Sequence, residues 1–199
     1  MKISARLIAL SIAALPLSIV VVGAPAAAAV DNSDPQRFVT TLTTDGFAAM
    51  KSGNHVAAKA QFKALLANNV AADQIGNRLL GRWRATATPA QLAAYKAALP
   101  GYIVGTYTDR LFEYADATIK VVRSTPTSAG AADVSSQVTK PGRQPIPAVW
   151  SVANVGGQWK VVNLRVAGIN VALAQAADFD SVIQRQGLDA LVKMMQSRG

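Results

Sequence analysis

The chain has no cysteine, a single histidine and only 11 acidic residues, and these shortages remove much of the usual catalytic chemistry. Without cysteine there is no disulfide, no thiol nucleophile and no thiolate metal site. His55 alone cannot build a conventional zinc centre unless carboxylates supply nearly every ligand. It follows Asn54 at the start of a helical pattern, where an exposed first-turn histidine accounts for it. No Gly-x-Ser-x-Gly elbow presents a serine nucleophile. No glycine-rich phosphate loop occurs, because Gly156-Gly157 separates two apolar runs and opens no helix. Among the carboxylates, Asp109, Glu113 and Asp116 share one face of a helical pattern beside Arg110, as a solvated face would, and no acid–base pair stands out. The 20 Lys and Arg residues are scattered, not clustered, so nucleic acid is not an expected partner.

Apolar residues are plentiful, at 51% of the chain. Part of that share is a leader. Lys2 and Arg6 precede a nearly uninterrupted apolar run from Leu7 to Val22, and small residues follow through Ala29. This is the layout of a secretory signal peptide with cleavage expected after Ala29. A membrane anchor is the alternative, but the run is short against the roughly 20 residues that a spanning helix needs. Residues 1–29 are therefore read as leader and 30–199 as one exported domain. Losing Lys2 and Arg6 takes the formal charge from +9 to +7. That suits anionic lipid head groups or an acidic partner surface, and equally serves solubility.

Ser33-Asp34-Pro35 is a helix start, followed by an apolar stripe through Phe38, Val39, Leu42, Phe47 and Met50, with Gly46 a weak point. Asn54 caps a second helix bearing Val56, Phe62, Leu65, Leu66 and Val70. A third, from Asp73, carries Ile75, Leu79, Leu80 and Trp83. Thr88-Pro89-Ala90-Gln91 is a capping box that opens a fourth helix, expected to kink or stop at Pro100-Gly101 before helical spacing resumes with Ile103, Tyr107, Leu111 and Tyr114. The period changes at Ala117. A β-branched run ends at Ser124-Thr125-Pro126, residues 133–139 alternate, Lys140-Pro141-Gly142-Arg143 reads as a turn, and Pro145 and Pro147 open the next strand. Gly156-Gly157 then turns a hairpin between Val149–Val155 and Trp159–Val166, and helical spacing closes the chain through Phe179, Val182, Ile183, Leu191, Met194 and Met195. Helices segregated from strands predict an α+β domain, with helices packed on one side of a curved, mostly antiparallel sheet of about four strands.

The last hairpin is apolar on both faces by simple alternation: Trp159 and Val161 fall on one, Val162, Leu164 and Val166 on the other. Such a strand is either covered by core on both sides, or has core on one face and a cavity for an apolar ligand on the other.

Gly157-Gln158-Trp159-Lys160-Val161-Val162-Asn163, then Gly168-Ile169-Asn170, Phe179, Ile183, Gly187-Leu188-Asp189 and Leu191 resemble the C-terminal signature of the MlaC (toluene-tolerance) family of periplasmic lipid carriers. Phe62 with Leu65-Leu66, and Tyr107 with Leu111, agree upstream. The resemblance implies a nuclear-transport-factor-like fold that holds the acyl tails of a phospholipid between helices and sheet. It implies a monomeric shuttle between an outer-membrane lipoprotein–porin complex and an inner-membrane ABC transporter, without a cofactor and without enzymatic activity. A hopanoid-associated branch of the family is the alternative, and a small isomerase- or hydratase-like enzyme on a similar fold, using Asp116 or Tyr107, is another. On this reading the tail contacts are Phe62, Leu66, Leu79, Trp83, Tyr107, Leu111, Trp150, Val152, Val161, Leu164, Val166 and Ile169, with Arg82, Arg84 and Arg110 as a basic head-group rim. The chain departs from the family at Asn163, where Asp is common, at Asn170, where Ser is common, and at Gln175 and Ala176. These positions are expected near the rim or a partner surface.

Overall fold

The computed structural model describes residues 30–51 and 53–199. The expected leader lies outside the described residues. Four helices come first: α1 (Pro35–Lys51), α2 (His55–Asn69), α3 (Ala72–Leu80) with a 3-10 turn at Gly81–Ala85, and α4 (Pro89–Phe112). Five strands follow, β1 (Thr118–Ser128), β2 (Ala131–Thr139), β3 (Ile146–Val155), β4 (Gln158–Val166) and the two-residue β5 (Ile169–Asn170). The chain closes with α5 (Val171–Gln186) and α6 (Leu188–Arg198). The strands pair in sequence order, all antiparallel, as an open sheet. The α+β arrangement is the expected one, with a fifth strand added.

Local chemistry sets most boundaries. Asn54 accepts from the Ala57 amide to cap α2, Asn170 accepts from Leu173 to cap α5, and both halves of the Thr88–Gln91 capping box are made. Gly156 and Gly157 sit at φ 62° and 85°, so the two-residue turn joining β3 to β4 has the positive dihedrals of a primed hairpin turn.

One expectation is narrowed and two need correction. Helix α4 runs through Pro100 without stopping. Pro100 is exposed, and so is Lys96, whose carbonyl loses its partner and can turn to water. Strand β1 does not end at Pro126 but continues to Ser128. It is an edge strand, where a missing donor is tolerated. Asp116 lies beyond the end of α4, in the turn before β1, with its carboxylate 3.6 Å from Lys140.

Continuity of α4 matters because α6 crosses it very closely. A Cβ on Gly105 would stand 1.6 Å from the Arg198 carbonyl oxygen, and one on Gly101 would stand 3.3 Å from the Gly199 Cα. Gly105→Ala should therefore destabilise by about 1–3 kcal/mol in a denaturant titration. An unencumbered helix interior would gain about 1 kcal/mol from the same change. Gly101→Ala, with room for a small shift, should be close to neutral.

The core is divided. One cluster joins Leu79 and Leu80 of α3, Tyr95, Leu99 and Tyr102 of α4, and Phe179, Ile183, Leu191 and Met195 of α5 and α6. The other joins Phe38, Val39 and Leu42 of α1 to Ala132, Val134, Val152 and Val161 of the sheet. Helix α2 contributes no fully buried member to either: Ala58 and Asn69 are its buried residues, Leu65 packs against the second cluster from a partly open position, and Phe62 and Leu66 are also partly open.

Candidate functional site

Between the two clusters lies a cavity of about 290 Å³. Trp150 of β3 and Val161, Asn163 and Leu164 of β4 form its sheet wall. Leu42, Thr43, Gly46, Phe47 and Met50 of α1 line one side, and Phe62, Leu65 and Leu66 of α2 another. Ile75 and Leu79 of α3, Tyr102, Ile103, Tyr107 and Leu111 of α4, Val171, Ala172 and Gln175 of α5, and Val70 complete it. The wall contains no Asp, Glu, Lys, Arg or His.

The sheet wall explains why the hairpin seems apolar on both faces. Residues Val134 and Trp150 pair, as do Trp150 and Leu164, so these share the helix-facing side. The register shifts between the pairs Ser151–Asn163 and Val152–Val161, giving β4 one extra residue at Val162. That bulge reverses the alternation. Val161 and Leu164, an odd and an even position, therefore line the same cavity. The opposite face is polar: the Ser151 hydroxyl donates to Asp133 at 2.7 Å, and Arg165 holds the same carboxylate at 2.6 Å.

The helices are tied to this wall by directed bonds. The corner between α2 and α3 is pinned by the Ala71 amide, which donates to the Val161 carbonyl at 3.0 Å, so Leu65, Leu66 and Val70 face β4. Trp150 turns its ring to the cavity while its indole N–H donates to Ser136 Oγ at 3.0 Å, leaving no unpaired donor. Across the cavity, the Tyr107 hydroxyl donates to Gln175 Oε1 at 3.1 Å and bridges α4 to α5. Burial, followed by the neighbouring Tyr102, pushes the Tyr107 hydroxyl pKa up, so this donor keeps its proton at neutral pH.

Of the expected tail contacts, Phe62, Leu66, Leu79, Tyr107, Leu111, Trp150, Val161 and Leu164 stand in the cavity wall. Trp83, Val152, Val166 and Ile169 do not. Val152 is 1% exposed and packed in the α1–sheet core. Val166 pairs with Ala148 at the far end of β4. Ile169 is on the two-residue edge strand β5 and 64% exposed, because the chain turns before it and Val171 and Ala172 take the inward positions. Trp83 packs against the helical core from the 3-10 turn, and its indole N–H donates to Asp180 Oδ1 at 2.7 Å.

The expected basic rim is also redistributed. Arg82 is 3.0 Å from Asp180, so its charge is already answered. Arg84 lies in the same 3-10 turn, and neither lines the cavity. Arg110 is exposed on α4 next to Leu111, outside the wall itself. The departures from the family pattern move the other way. Asn163 and Gln175 line the cavity, Asn170 caps α5, and Ala176 packs on the helical core.

Asp180 has a consequence for acid stability. The Trp83 hydrogen bond first, and Arg82 and Gln184 after it, hold its carboxyl below the ordinary value of 3.8 against desolvation. A carboxylate with a depressed folded-state pKa stabilises the fold above the unfolded value, and that contribution fades as pH falls through the lower folded value. Asp180→Asn should therefore lower the urea midpoint at pH 7, and the difference from wild type should shrink below about pH 4.

The largest single group of wall residues missed by sequence reasoning comes from α1. Its stripe was visible, but Gly46 and Phe47 read as a weak point and a core residue, whereas the missing side chain at Gly46 leaves part of the space that Phe47 and Met50 border. Nothing local marks Val171 and Ala172 as wall residues.

Among the described residues, no helix is long and apolar enough to cross a membrane, and no group of three or more acidic or histidine side chains could hold a metal ion. The family model for the MlaC protein matches residues 38–197. Toluene tolerance protein ttg2D of Pseudomonas putida is 29% identical over 121 residues, 60% of this chain, and the match spans 56% of that relative's length. A phospholipid-binding protein from Ralstonia solanacearum, solved in complex with a phospholipid, has the same fold: its TM-score is 0.68 at 21% identity, covering 83% of this chain and 97% of that one.

Proposed function

This chain belongs to the MlaC family, and on that premise we propose that it is an exported lipid carrier that shelters the acyl tails of one phospholipid in the cavity between helices and sheet. The observation that carries this reading is the cavity wall: aliphatic and aromatic side chains from five helices and two strands, without one charged group. An isomerase or hydratase would need an Asp or Tyr projecting into the cavity: Asp116 is 57% exposed in a turn, and the hydroxyl of Tyr107, which does stand in the wall, is already given to Gln175. The phospholipid bound to the Ralstonia solanacearum protein of the same fold supports the same ligand class.

Energetics make such a carrier useful. Moving acyl carbon from bilayer to water costs about 0.8 kcal/mol per CH₂, so two tails of about sixteen carbons set a barrier of roughly 25 kcal/mol. A dry cavity removes most of that barrier without covalent chemistry. The carrier works as a monomer in the periplasm after loss of residues 1–29. It moves lipid between an outer-membrane lipoprotein–porin complex and an inner-membrane ABC transporter, which maintains lipid asymmetry of the outer membrane.

The loosely packed α2 fits this role. Phe62, Leu65 and Leu66 border open space where core would otherwise be, so a bound lipid completes their packing. Delipidated protein should therefore melt at a lower temperature than loaded protein, because a ligand specific to the folded state stabilises it by mass action. The functional test is transfer of a fluorescent phospholipid between two vesicle populations. Acceleration that scales with protein concentration supports the reading. Transfer at the protein-free rate, with no change in melting temperature on adding lipid, would refute it.

A further inference from the structure

The single histidine joins two helices. His55, the first residue of α2, stacks on Phe112, the last residue of α4, with ring centroids 3.8 Å apart and planes inclined by 15°. One turn further along α2, Lys59 stands 3.4 Å from Asp109, which is one turn back on α4. Positions 55, 59, 62 and 66 recur at helical spacing and so form one stripe along α2. The first half of the stripe clasps α4, and the second half, Phe62 and Leu66, lines the cavity. On α4, Leu111 of the cavity wall is next in sequence to Phe112 of the clasp. This clasp is light. Its ion pair is exposed on both sides, where such pairs hold little, and Ala58, buried in the same two turns of α2, offers only a methyl group. The other end of α2 is bonded to the sheet, by the Ala71 amide to the Val161 carbonyl at 3.0 Å and by Lys160 Nζ to the Asn68 carbonyl at 3.1 Å.

We propose that α2 is the door of the cavity: it pivots on its sheet-bonded end, and the His55–Phe112 stack with the Lys59–Asp109 pair is the latch whose release lets an acyl chain pass between α2 and α4. The proposal rests on the carrier reading above and adds how the lipid enters and leaves. A cavity walled by five helices and a sheet admits a tail only when one element moves. Moving α1 would expose Phe38, Val39 and Leu42, and moving α4 or α5 would expose Tyr95, Tyr102 or Phe179, all core residues. Helix α2 has no large side chain fully buried, so its opening has the least to uncover, as in the low-stability segments from which lids are drawn. Neither His55 nor Phe112 lines the cavity, so the latch governs the rate of passage and not the grip on the tail. Weakening it raises entry and exit together and leaves the affinity unchanged while the closed state still dominates.

Because the chain has no cysteine, a thiol pair can be introduced at the latch without competitors. His55→Cys with Phe112→Cys, in full-length mature protein loaded with a fluorescent phospholipid, is bridged by a bis-methanethiosulfonate reagent that a reductant later removes. Release is followed into excess phosphatidylglycerol vesicles. The bridged protein should release its lipid at least about tenfold more slowly than wild type. After reduction the same protein, now without the stack, should release faster than wild type. His55→Ala alone should speed uptake and release alike by roughly three- to tenfold, the worth of one aromatic pair, with equal affinity. A bridge between Asp73→Cys and Lys96→Cys, across the exposed 3.7 Å ion pair that joins α3 to α4, is the control and should leave release at the wild-type rate. Equal release from the bridged and reduced latch, the same slowing at the control bridge, or unchanged rates in His55→Ala would overturn the door while leaving the carrier reading standing. A folded, reduced protein that takes up no phospholipid would overturn the carrier reading and the door with it.

Discussion

Replacing Leu164 with arginine should empty the cavity: lipid affinity falls at least about a hundredfold while the protein stays folded. Leu164 is half-buried, lines the cavity and belongs to neither core cluster, so the substitution disturbs the ligand's space more than the protein's packing. A guanidinium facing acyl chains is an unpaired charge beside hydrocarbon, with a cost of about 3 kcal/mol or more, and 1.4 kcal/mol is a factor of ten. If the arginine instead extends its head group to solvent, its stem still fills the space that a tail needs. Leu173→Arg is the matched control, because Leu173 is 69% exposed outside the wall. It should leave loading unchanged. Val152 is unsuitable for this experiment: it is packed in the α1–sheet core, and a charge there would unfold the protein before it reported on lipid.

Phe179→Ala should be the most damaging single truncation, costing about 3–5 kcal/mol. The ring has no solvent exposure. It meets the Tyr95 ring edge-on at 6.3 Å and the Tyr102 ring at 5.5 Å, and so joins α5 to α4. Tyr95 cannot move to fill the gap without giving up its hydroxyl's bond to the Gly76 carbonyl at 3.0 Å. For a domain of this size the melting temperature should fall by roughly 10 °C. Phe62→Ala makes the comparison, since Phe62 is partly open to the cavity and leaves a space that already exists. It should cost less than half as much in the delipidated protein. Equal losses at the two positions would mean that the cavity is filled by the chain itself.

Much of the fold could be read from local chemistry. Asn54, the Thr88–Gln91 box and Gly156-Gly157 act on their own neighbours, so their structural meaning is visible in sequence. Whether Pro100 stops α4 depends on which side of the helix faces water, and on α6 crossing the opposite side, which the sequence does not show. The hairpin faces were hidden for a related reason. One extra residue at Val162 reverses the alternation, and no residue type in Val161-Val162-Asn163 announces a bulge. Half-buried residues such as Phe62, Leu66 and Leu164 have the composition of core, and only the separation of two clusters in space makes them a cavity wall. Trp83 and Val152 illustrate the converse, apolar residues of the right kind that the packing uses elsewhere.

Asn163 and Gln175 show a further limit. Both were noticed as departures, and polar side chains ordinarily belong at a rim. Asn163 pairs with Ser151 on the polar side of the sheet, and Gln175 lines the cavity with its amide oxygen taken by the Tyr107 hydroxyl, so polarity alone does not say which surface a residue joins.

The central claim, a cavity that holds lipid tails, is tested most directly by mass spectrometry of organic extracts from protein purified without detergent. The account predicts about one two-tailed lipid per chain, and near-complete loss of that lipid from Leu164→Arg. A folded protein that yields no lipid, and takes none up from phospholipid vesicles, would contradict it.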